Sequence, residues 1–302
     1  MTVSKFYDRQ DDLTAAKIRF YSIYIERYLF KLLCGFHKCF VADLFCGPGK
    51  NGSENGSPLV LIDRLNYILT SPYLKKYGVK IFVLFNDYND DYVKNLDTEL
   101  KKINIDNNIK FLGIKCKDFA DILKDIKRVL KDVNIPKFFF LDPFTYSNIS
   151  MDNLKDLMAL KYTEVLFFLP AFHCYRFKNA DFNDDHKVKI FLEEFTLEKT
   201  PSDYDNFDAF MASIKEKIKS DLGLKFVRPV ILDAGSRKNA LFLLTKNRAG
   251  IALMNNICFT YSENGKGINL TGGEYKKQSF FGTLGTAEFK KFAKNLEDEL
   301  KK

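Results

Sequence analysis

Hydrophobic positions along the chain fall into short, nearly continuous runs that are separated by amphipathic stretches. The runs have the length of buried strands and end at turn residues; they cover residues 40–43, 79–85, 108–116, 136–141 and 163–169. Apolar residues at helical spacing predict a helix over 13–35, and further helices are expected at 90–102, 119–132 and 251–259. Strands at 226–232 and 239–245, joined by a turn-rich segment, predict an antiparallel hairpin. The pattern therefore predicts an α/β, Rossmann-like doubly wound sheet of seven strands whose last strand is antiparallel.

We expect one domain that covers residues 1–302 and carries two additions. Residues 178–224 are polar, aromatic and helical in patches, which is typical of a helical lid inserted into a domain. Residues 261–302 begin with a glycine- and lysine-rich loop and end in a helix of mixed charge. This C-terminal extension suits a position beside a polymer or a partner protein.

The spacing of the cysteines, the number of histidines and the net charge exclude several classes of protein. The six cysteines are scattered without Cys-x-x-Cys pairs and only three histidines are present, which disfavours a metal site and a disulfide framework. Reduced cysteines, no apolar stretch of membrane-spanning length and no signal-peptide pattern in residues 1–12 predict a cytoplasmic protein without a membrane partner. The net charge of +8 favours a nucleic-acid partner, although lysines on solvated faces would give the same charge.

The end of the first strand carries the strongest chemical signal. Asp43 ends the apolar run, and Phe45, Gly47 and Gly49 follow it. The two glycines let a ligand approach the backbone closely, and Asp43 would accept hydrogen bonds near that ligand. A tight strand-to-helix turn needs the same glycines, so this structural alternative stays open. Ser57 is the expected N-cap of the next helix, whose free amides would point toward the ligand.

Acidic residues also follow the second and third strands. Asp87 lies about forty residues after the glycine turn, where a carboxylate suits the two hydroxyls of a ribose. Asp118 would accept from the amino group of an adenine while Phe119 packs on its ring. Asp118 is equally suited to cap the helix that follows it, and both roles can hold at once. The strand ends together predict a site for an adenosyl ligand.

The candidate reaction centre lies after the fourth and fifth strands. Asp142 ends the fourth strand, and Phe144 and Tyr146 follow it. In doubly wound folds this position faces the bound ligand. Arg176 lies among aromatic residues after the fifth strand and suits a phosphate or a base, with a structural ion pair as the alternative. Lys17, in the first helix, is either a phosphate or carboxylate contact or a solvated charge.

Two motifs resemble those of known methyltransferases. Asp43-Leu44-Phe45-Cys46-Gly47-Pro48-Gly49 resembles motif I of class I methyltransferases that use S-adenosyl-L-methionine (SAM). Asp142-Pro143-Phe144 resembles the Asp/Asn-Pro-Pro-Tyr/Phe element of amino-methyltransferases. The second match is imperfect, because Phe144 replaces the second proline and Thr145 precedes Tyr146.

The chain as a whole resembles the three-Cys-motif partner (TcmP) family. The resemblance is carried by these two motifs together with Thr14-Ala15-Ala16-Lys17, Gly56-Ser57-Pro58-Leu59 and Thr245-Lys246-Asn247 before Gly250 and Met254. It implies a class I methyltransferase fold and a partner protein that bears a three-cysteine motif. The implied SAM-binding residues are Asp43, Phe45, Gly47, Gly49, Asp87, Asp118 and Phe119. Asp142 and Tyr146 would act at the reaction centre, with Lys17, Phe144 and Arg176 as contacts to the substrate.

Three functions follow from these motifs, and the sequence does not indicate an oligomeric state. The first is a SAM-dependent methyltransferase that acts on nucleic acid together with a partner protein. The second is a non-catalytic module that holds SAM or another adenine nucleotide while it docks onto a three-cysteine-motif protein, which the departure at Phe144 favours. A nuclease-like enzyme ranks last, because the glycines lack a Walker-type Lys-Ser/Thr and no paired carboxylates are placed for magnesium.

Overall fold

The computed structural model describes residues 12–145, 148–176, 186–197, 204–233, 238–261 and 267–269. The chain divides into two compact units, Met1–Leu270 and Thr271–Lys302, and all described residues belong to the first. The predicted final helix and most of the C-terminal extension lie outside the described residues.

Helices and strands alternate along most of the first unit. The helices are α1 (Asp12–Phe36), α2 (Ser57–Leu69), α3 (Pro72–Lys76), α4 (Asp90–Leu100), α5 (Phe119–Leu130), α6 (Met151–Ala159), α7 (Phe172–Arg176), α8 (His186–Phe195), α9 (Phe207–Asp221) and α10 (Arg248–Tyr261). The strands are β1 (Lys38–Asp43), β2 (Lys50–Asn51), β3 (Glu54–Asn55), β4 (Lys80–Asp87), β5 (Ile109–Cys116), β6 (Lys137–Leu141), β7 (Thr163–Leu169), β8 (Phe226–Asp233), β9 (Lys238–Thr245) and β10 (Gly267–Asn269). Within the described part, no helix is long and apolar enough to span a membrane.

The seven long strands form one sheet in the order β5-β4-β1-β6-β7-β9-β8, and this confirms the predicted fold class. β9 is antiparallel to both of its neighbours, whereas the pairs on the other side of β7 are parallel. The short strand β10 adds a parallel edge beside β8, which the sequence did not predict. The strand order reverses at β1, with β4 and β5 on one side and β6 on the other. In open α/β sheets a ligand crevice forms at such a reversal, outside the carboxyl ends of the strands.

Alternate residues of β6 face two different helical layers. Phe138 and Phe140 face α1, where Tyr21 packs on Phe140 and both Tyr24 and Tyr28 pack on Phe138, with ring centroids 4.3 to 6.1 Å apart. These tyrosines recur at helical spacing, so one stripe of α1 covers the strand. The intervening β6 residues join the core formed with α5, α6, α8 and α9. The buried sheet is therefore covered on both faces.

The described part of the expected lid, residues 186–197 and 204–224, supplies core residues on one face of the sheet. Phe191 and Phe195 of α8 and Phe210 of α9 belong to the same hydrophobic cluster as β6 and β7. The helix α9 is thus part of the crossover between β7 and β8. Residues 177–185 and 198–203 lie outside the described residues.

Two local predictions need correction. Ser57 is not the N-cap of α2; Gly56 holds that position, and no side chain caps the helix. Ser57 is instead buried inside the first turn. The sequence analysis also missed α6, although its capping box was readable: the Ser150 hydroxyl accepts from the Asn153 backbone, and the Asn153 side chain accepts from the Ser150 backbone.

Candidate functional site

A cleft opens at the carboxyl ends of β1, β4 and β6, where the strand order reverses. Seven of the residues that the sequence singled out line it: Lys17, Phe45, Gly47, Gly49, Asp87, Asp142 and Phe144. A neighbouring cavity is lined by Asp118 and Phe119, and the two cavities share Phe45, Tyr88 and Asn148. The fold therefore brings side chains from the ends of four strands and from α1 to one extended site.

The glycine turn after β1 is tied to the end of β4. Gly47 has a φ of +61°, which suits glycine, and its backbone N–H donates to Oδ2 of Asp87 over 2.9 Å. The Asn89 N–H donates to Oδ1 of the same carboxylate over 3.0 Å. Burial raises the pKa of Asp87, and hydrogen bonds from the backbone N–H groups of Asn89, Gly47 and Tyr88 lower it in part. A carboxylate has about four acceptor sites, so Asp87 keeps capacity for a ligand.

The second glycine is required by packing. Gly49 has a φ of +88°, and a Cβ there would lie 2.9 Å from Cδ1 of Leu96 in α4. The N–H of Gly56 donates to the Gly49 carbonyl over 2.7 Å, which closes the loop between β1 and α2. Gly49 therefore has a packing role as well as lining the cleft, and Gly47 lines the cleft and positions Asp87.

Asp43 lies beneath the lining residues and is fully buried. Its Oδ1 accepts from the Phe45 N–H over 3.3 Å, and its Oδ2 has no hydrogen-bond partner among the described residues. Burial is the main reason that the pKa of Asp43 rises to about 7; the charges of Asp142 and Asp87 raise it further, and the Ser57 hydroxyl and the Phe45 N–H oppose the rise. Asp43 supports the turn that lines the cleft and is not itself among the lining residues. Its contact with a ligand stays a prediction.

Lys17 and Asp142 form a largely buried ion pair. Nζ of Lys17 lies 2.5 Å from Oδ2 of Asp142, and the two side chains are 10% and 17% exposed. The same ammonium lies 4.3 Å from the ring centroid of Phe168, which adds a cation–π contact. The pair connects α1 to the end of β6. The sequence treated Lys17 as a ligand contact or a solvated charge, and could not see that its partner is the candidate catalytic carboxylate.

The mouth of the cleft carries an exposed aromatic ring. Phe144 is 49% exposed, and the neighbouring Thr145 hydroxyl is hydrogen-bonded to the Asn148 side chain. Tyr146, which the sequence placed at the reaction centre, lies outside the described residues. Arg176 ends α7, and its side chain lies outside the described part of the structure.

Asp118 and Phe119 are the two residues that the sequence analysis placed at an adenine. Asp118 is the N-cap of α5, and its Oδ1 accepts from the Ala120 N–H over 2.9 Å, which confirms the capping role. Its carboxylate also lines the second cavity. Phe119 is buried, and its ring stacks on Phe45 with centroids 5.0 Å apart. Phe45, the more accessible of the two rings, separates Phe119 from the first cavity and lines both.

Sequence reasoning missed several residues of this site. Tyr88 and Tyr92 line the cleft beside Asp87, and nothing in the residue pattern distinguished them from ordinary tyrosines. Tyr21 is fully buried, and its hydroxyl has no hydrogen-bond partner among the described residues. Its pKa is raised by burial and by the nearby charge of Asp43. The four-residue spacing from Lys17 was the available signal, because it places both residues on one face of α1.

No group of three or more His, Cys, Asp or Glu side chains within the described residues is arranged to hold a metal ion. The sequence matches no family model and no curated protein.

Comparison with solved structures finds distant likenesses. Trm1 from Pyrococcus horikoshii, solved with S-adenosyl-L-methionine, is 12% identical with a TM-score of 0.40; the alignment covers 79% of this chain but only 58% of that one. A methyltransferase from Pyrococcus furiosus is 12% identical with a TM-score of 0.33, covering 74% of this chain and 83% of that one. The METTL16 methyltransferase domain is also 12% identical, with a TM-score of 0.38 and coverage of 74% and 81%. This chain is thus similar in outline to solved methyltransferases.

Proposed function

We propose that this protein is a SAM-dependent methyltransferase that acts on nucleic acid together with a partner protein. The observation that carries the proposal is the fixed carboxylate of Asp87. It is held by the Gly47 and Asn89 N–H groups at the end of β4, in a cleft that continues to Asp118. A carboxylate with free lone pairs at this position suits a ribose, and a second one in the adjoining cavity suits an adenine amino group.

The residues of the two adjoining cavities offer a contact for each part of SAM. Asp87 would bind the ribose hydroxyls, Asp118 the adenine amino group, and Phe45 the adenine face. The turn at Gly47 and Gly49, supported from beneath by Asp43, would hold the methionine part. SAM supplies a methyl group on a sulfonium that is already activated, so the protein needs mainly to bind and orient both reactants.

Asp142 is the candidate group for the acceptor. Its carboxylate lines the cleft at the end of β6, and the Lys17 ammonium fixes its position. There it would accept a hydrogen bond, and then a proton, from an amine acceptor. Phe144 at the mouth offers an exposed ring on which a base would stack. We assign Tyr146 and Arg176 to the acceptor pocket on the sequence alone.

Nucleic acid as the acceptor and a three-cysteine-motif protein as the partner are parts of the same proposal. The net charge of +8 supports the first, and the resemblance to the TcmP family supports the second. All six cysteines are unpaired, which supports a cytoplasmic location.

One observation favours the second function, a binding module without catalysis. Oδ2 of Asp142 is already occupied by Lys17 in this structure. If that pair persists when an acceptor is bound, Asp142 is a structural residue and the cleft holds its ligand only for docking or sensing.

The test is calorimetric titration of the protein with SAM, S-adenosylhomocysteine and ATP. We expect micromolar binding of the two sulfur compounds and none of ATP. Asp87→Asn should weaken SAM binding at least tenfold, because the amide cannot accept from both ribose hydroxyls while it also receives the Gly47 N–H. The matched control is Asp90→Asn, which removes an exposed carboxylate that pairs with Lys94. Equal SAM affinity in both variants would rule out the assignment of Asp87.

Incubation with labelled SAM and RNA, DNA or protein separates the two functions. Methyl transfer by the wild type, and none by Asp142→Asn with SAM affinity intact, supports catalysis. SAM binding without transfer to any acceptor favours the binding module.

A further inference from the structure

A second surface lies at the opposite edge of the sheet, where the strands begin. It is formed by residues 36–38 before β1, residues 73–80 before β4 and residues 161–162 before β7, and we call it the amino-edge patch. Ring contacts join its parts: His37 stacks on Tyr77 with centroids 4.9 Å apart, and Phe36 lies 5.9 Å from Tyr162. We propose that the amino-edge patch binds single-stranded nucleic acid.

The patch exposes an unusual number of aromatic rings. Phe36, Tyr73, Tyr77 and Tyr162 are 44%, 36%, 40% and 58% exposed. Isolated exposed rings need no explanation, but four that form one connected surface indicate a binding site. Each ring has a face that a nucleic-acid base can stack on, whatever the base.

The charge of the patch is entirely positive. Lys38, Lys75, Lys76, Lys80 and Lys161 are exposed, and the segments 36–38, 73–80 and 161–162 contain no aspartate or glutamate. Within the described residues, none of these five lysines forms an ion pair.

The lysines elsewhere on the surface behave differently. In and next to α4 and α5, Lys94 pairs with Asp90, Lys101 with Asp97, and Lys124 with Asp121, each within about one turn. The solvated-lysine alternative therefore describes those helices. It does not describe the amino-edge patch, where the lysines have no acidic partner in the described part of the chain and Lys76 lies over the ring of Tyr77.

Two features of the patch are unfavourable in isolation. Lys38 and Lys80 are register neighbours on adjacent strands, which places two like charges side by side. His37 and Tyr162 both have a φ of +54°, a conformation that costs a non-glycine residue energy. A bound polyanion would offset the charge repulsion, and at Tyr162 the costly conformation carries a ring that is 58% exposed.

The composition favours nucleic acid over an acidic protein. Aromatic residues are common in protein interfaces, but lysine is depleted there. Lysines interleaved with stacking rings are instead typical of single-strand binding. This inference rests on the proposed function for the identity of the acceptor. β1 spans six residues, about 20 Å, so a polymer can contact the patch while its target base lies in the cleft.

The test measures binding of a fluorescein-labelled 20-nucleotide oligo(U) by anisotropy as salt is varied. Replacing three patch lysines (Lys38→Gln, Lys80→Gln and Lys161→Gln) should weaken binding at least tenfold and reduce the salt slope by about 2, because each contact to a single strand contributes about 0.7. The matched control replaces Lys94, Lys101 and Lys124 with glutamine and should change little. Tyr162→Gly removes the ring at a φ that suits glycine, and should weaken binding about tenfold.

Three results would overturn the proposal: no binding by the wild type, an equal loss in the control variant, or competition by poly-L-glutamate as strong as by unlabelled oligo(U) at equal charge. The last result would indicate an acidic protein as the partner. SAM titration of the same variants separates the two proposals. Lost oligonucleotide binding with intact SAM affinity confirms the patch, whereas patch-dependent binding without any SAM affinity rejects the methyltransferase alone.

Discussion

Two buried carboxyl groups, Asp43 and Glu164, show how differently one fold can use the same chemistry. Both lie in strands of the sheet, both are buried, and burial is the main cause that raises the pKa of each to about 7. They lie at opposite ends of the parallel strands, because Asp43 is the last residue of β1 and Glu164 is the second residue of β7. Their surroundings differ in how many hydrogen-bond partners the oxygens of each carboxyl group have.

Glu164 has a partner for each oxygen. The Thr245 hydroxyl donates to Oε2 over 2.9 Å, and the Tyr24 hydroxyl donates to Oε1. Gly250 of α10 closes over the carboxyl group, since a Cβ there would lie 2.6 Å from Oε2. This group connects α1, β7, β9 and α10, and it reads as a structural carboxyl.

Asp43 has one oxygen without a partner and two further carboxyl groups nearby, those of Asp142 and Asp87. Only the Lys17 ammonium, bound to Asp142, balances this negative charge within the described part of the site. An arrangement that is incompletely satisfied and rich in charge is typical of a ligand site, where a bound group completes the contacts. The number of hydrogen-bond partners of a buried acid, rather than its burial, therefore separates the candidate ligand site from the structural carboxyl group.

The largest expected effect on stability comes from a substitution next to Glu164. Gly250→Ala should lower the free energy of unfolding by about 3 kcal/mol, because the new methyl group overlaps a carboxylate that two hydroxyl groups hold in place. Urea unfolding measures the change. In the double variant with Glu164→Asp, the shorter side chain should recover part of the loss. If Gly250→Ala leaves the free energy of unfolding unchanged, Glu164 moves freely. Glu164 would then not be held more firmly than Asp43.

Both carboxyl groups, Asp43 and Glu164, should make the stability of the protein depend on pH. The pKa of each is about 7 in the folded protein, above the ordinary values of 3.8 and 4.5. The folded state thus binds more protons than the unfolded state between about pH 4 and 7, so stability is full at low pH and falls as pH rises through 7. Between pH 5 and pH 8 each carboxyl group should lower the free energy of unfolding by about 2 kcal/mol.

The variants Asp43→Asn and Glu164→Gln should each remove about half of that combined loss in urea unfolding at the two pH values. SAM affinity should change only in Asp43→Asn. A change of affinity in Glu164→Gln, or in neither variant, would contradict the assignment of the two edges.

The smallest effect comes from a pair of tyrosines one turn apart in α1. Tyr24→Phe should cost about 1.5 kcal/mol, because it leaves an oxygen of Glu164 unsatisfied. Tyr21→Phe should be close to neutral, because the Tyr21 hydroxyl has no hydrogen-bond partner among the described residues. Thermal or urea unfolding of the two variants provides the comparison. Equal losses would show that Tyr21 is bonded as firmly as Tyr24.

The amino-acid pattern was sufficient for most of the elements. The predicted bounds of β7 match the structure, and Asp118 caps α5 as expected. β4 extends to Asp87, two residues past its apolar run, because Asn86 and Asp87 pair with β5. The pattern could not show this pairing, since it depends on a neighbouring strand rather than on the residues themselves.

The alternation of strands and helices and the cap of α5 depend on interactions within a few residues, so local sequence is enough to specify them and to place four acids at the ends of strands. The pairing of Lys17 with Asp142, the grouping of three carboxyl groups around Asp43, the closure over Glu164 and the assembly of the amino-edge patch join residues far apart in the chain. These contacts exist only once the sheet order has brought α1 beside β6 and the strand starts to one edge. Burial and partners then decide which acid is structural and which is available to a ligand, and neither quantity is a property of the residue alone.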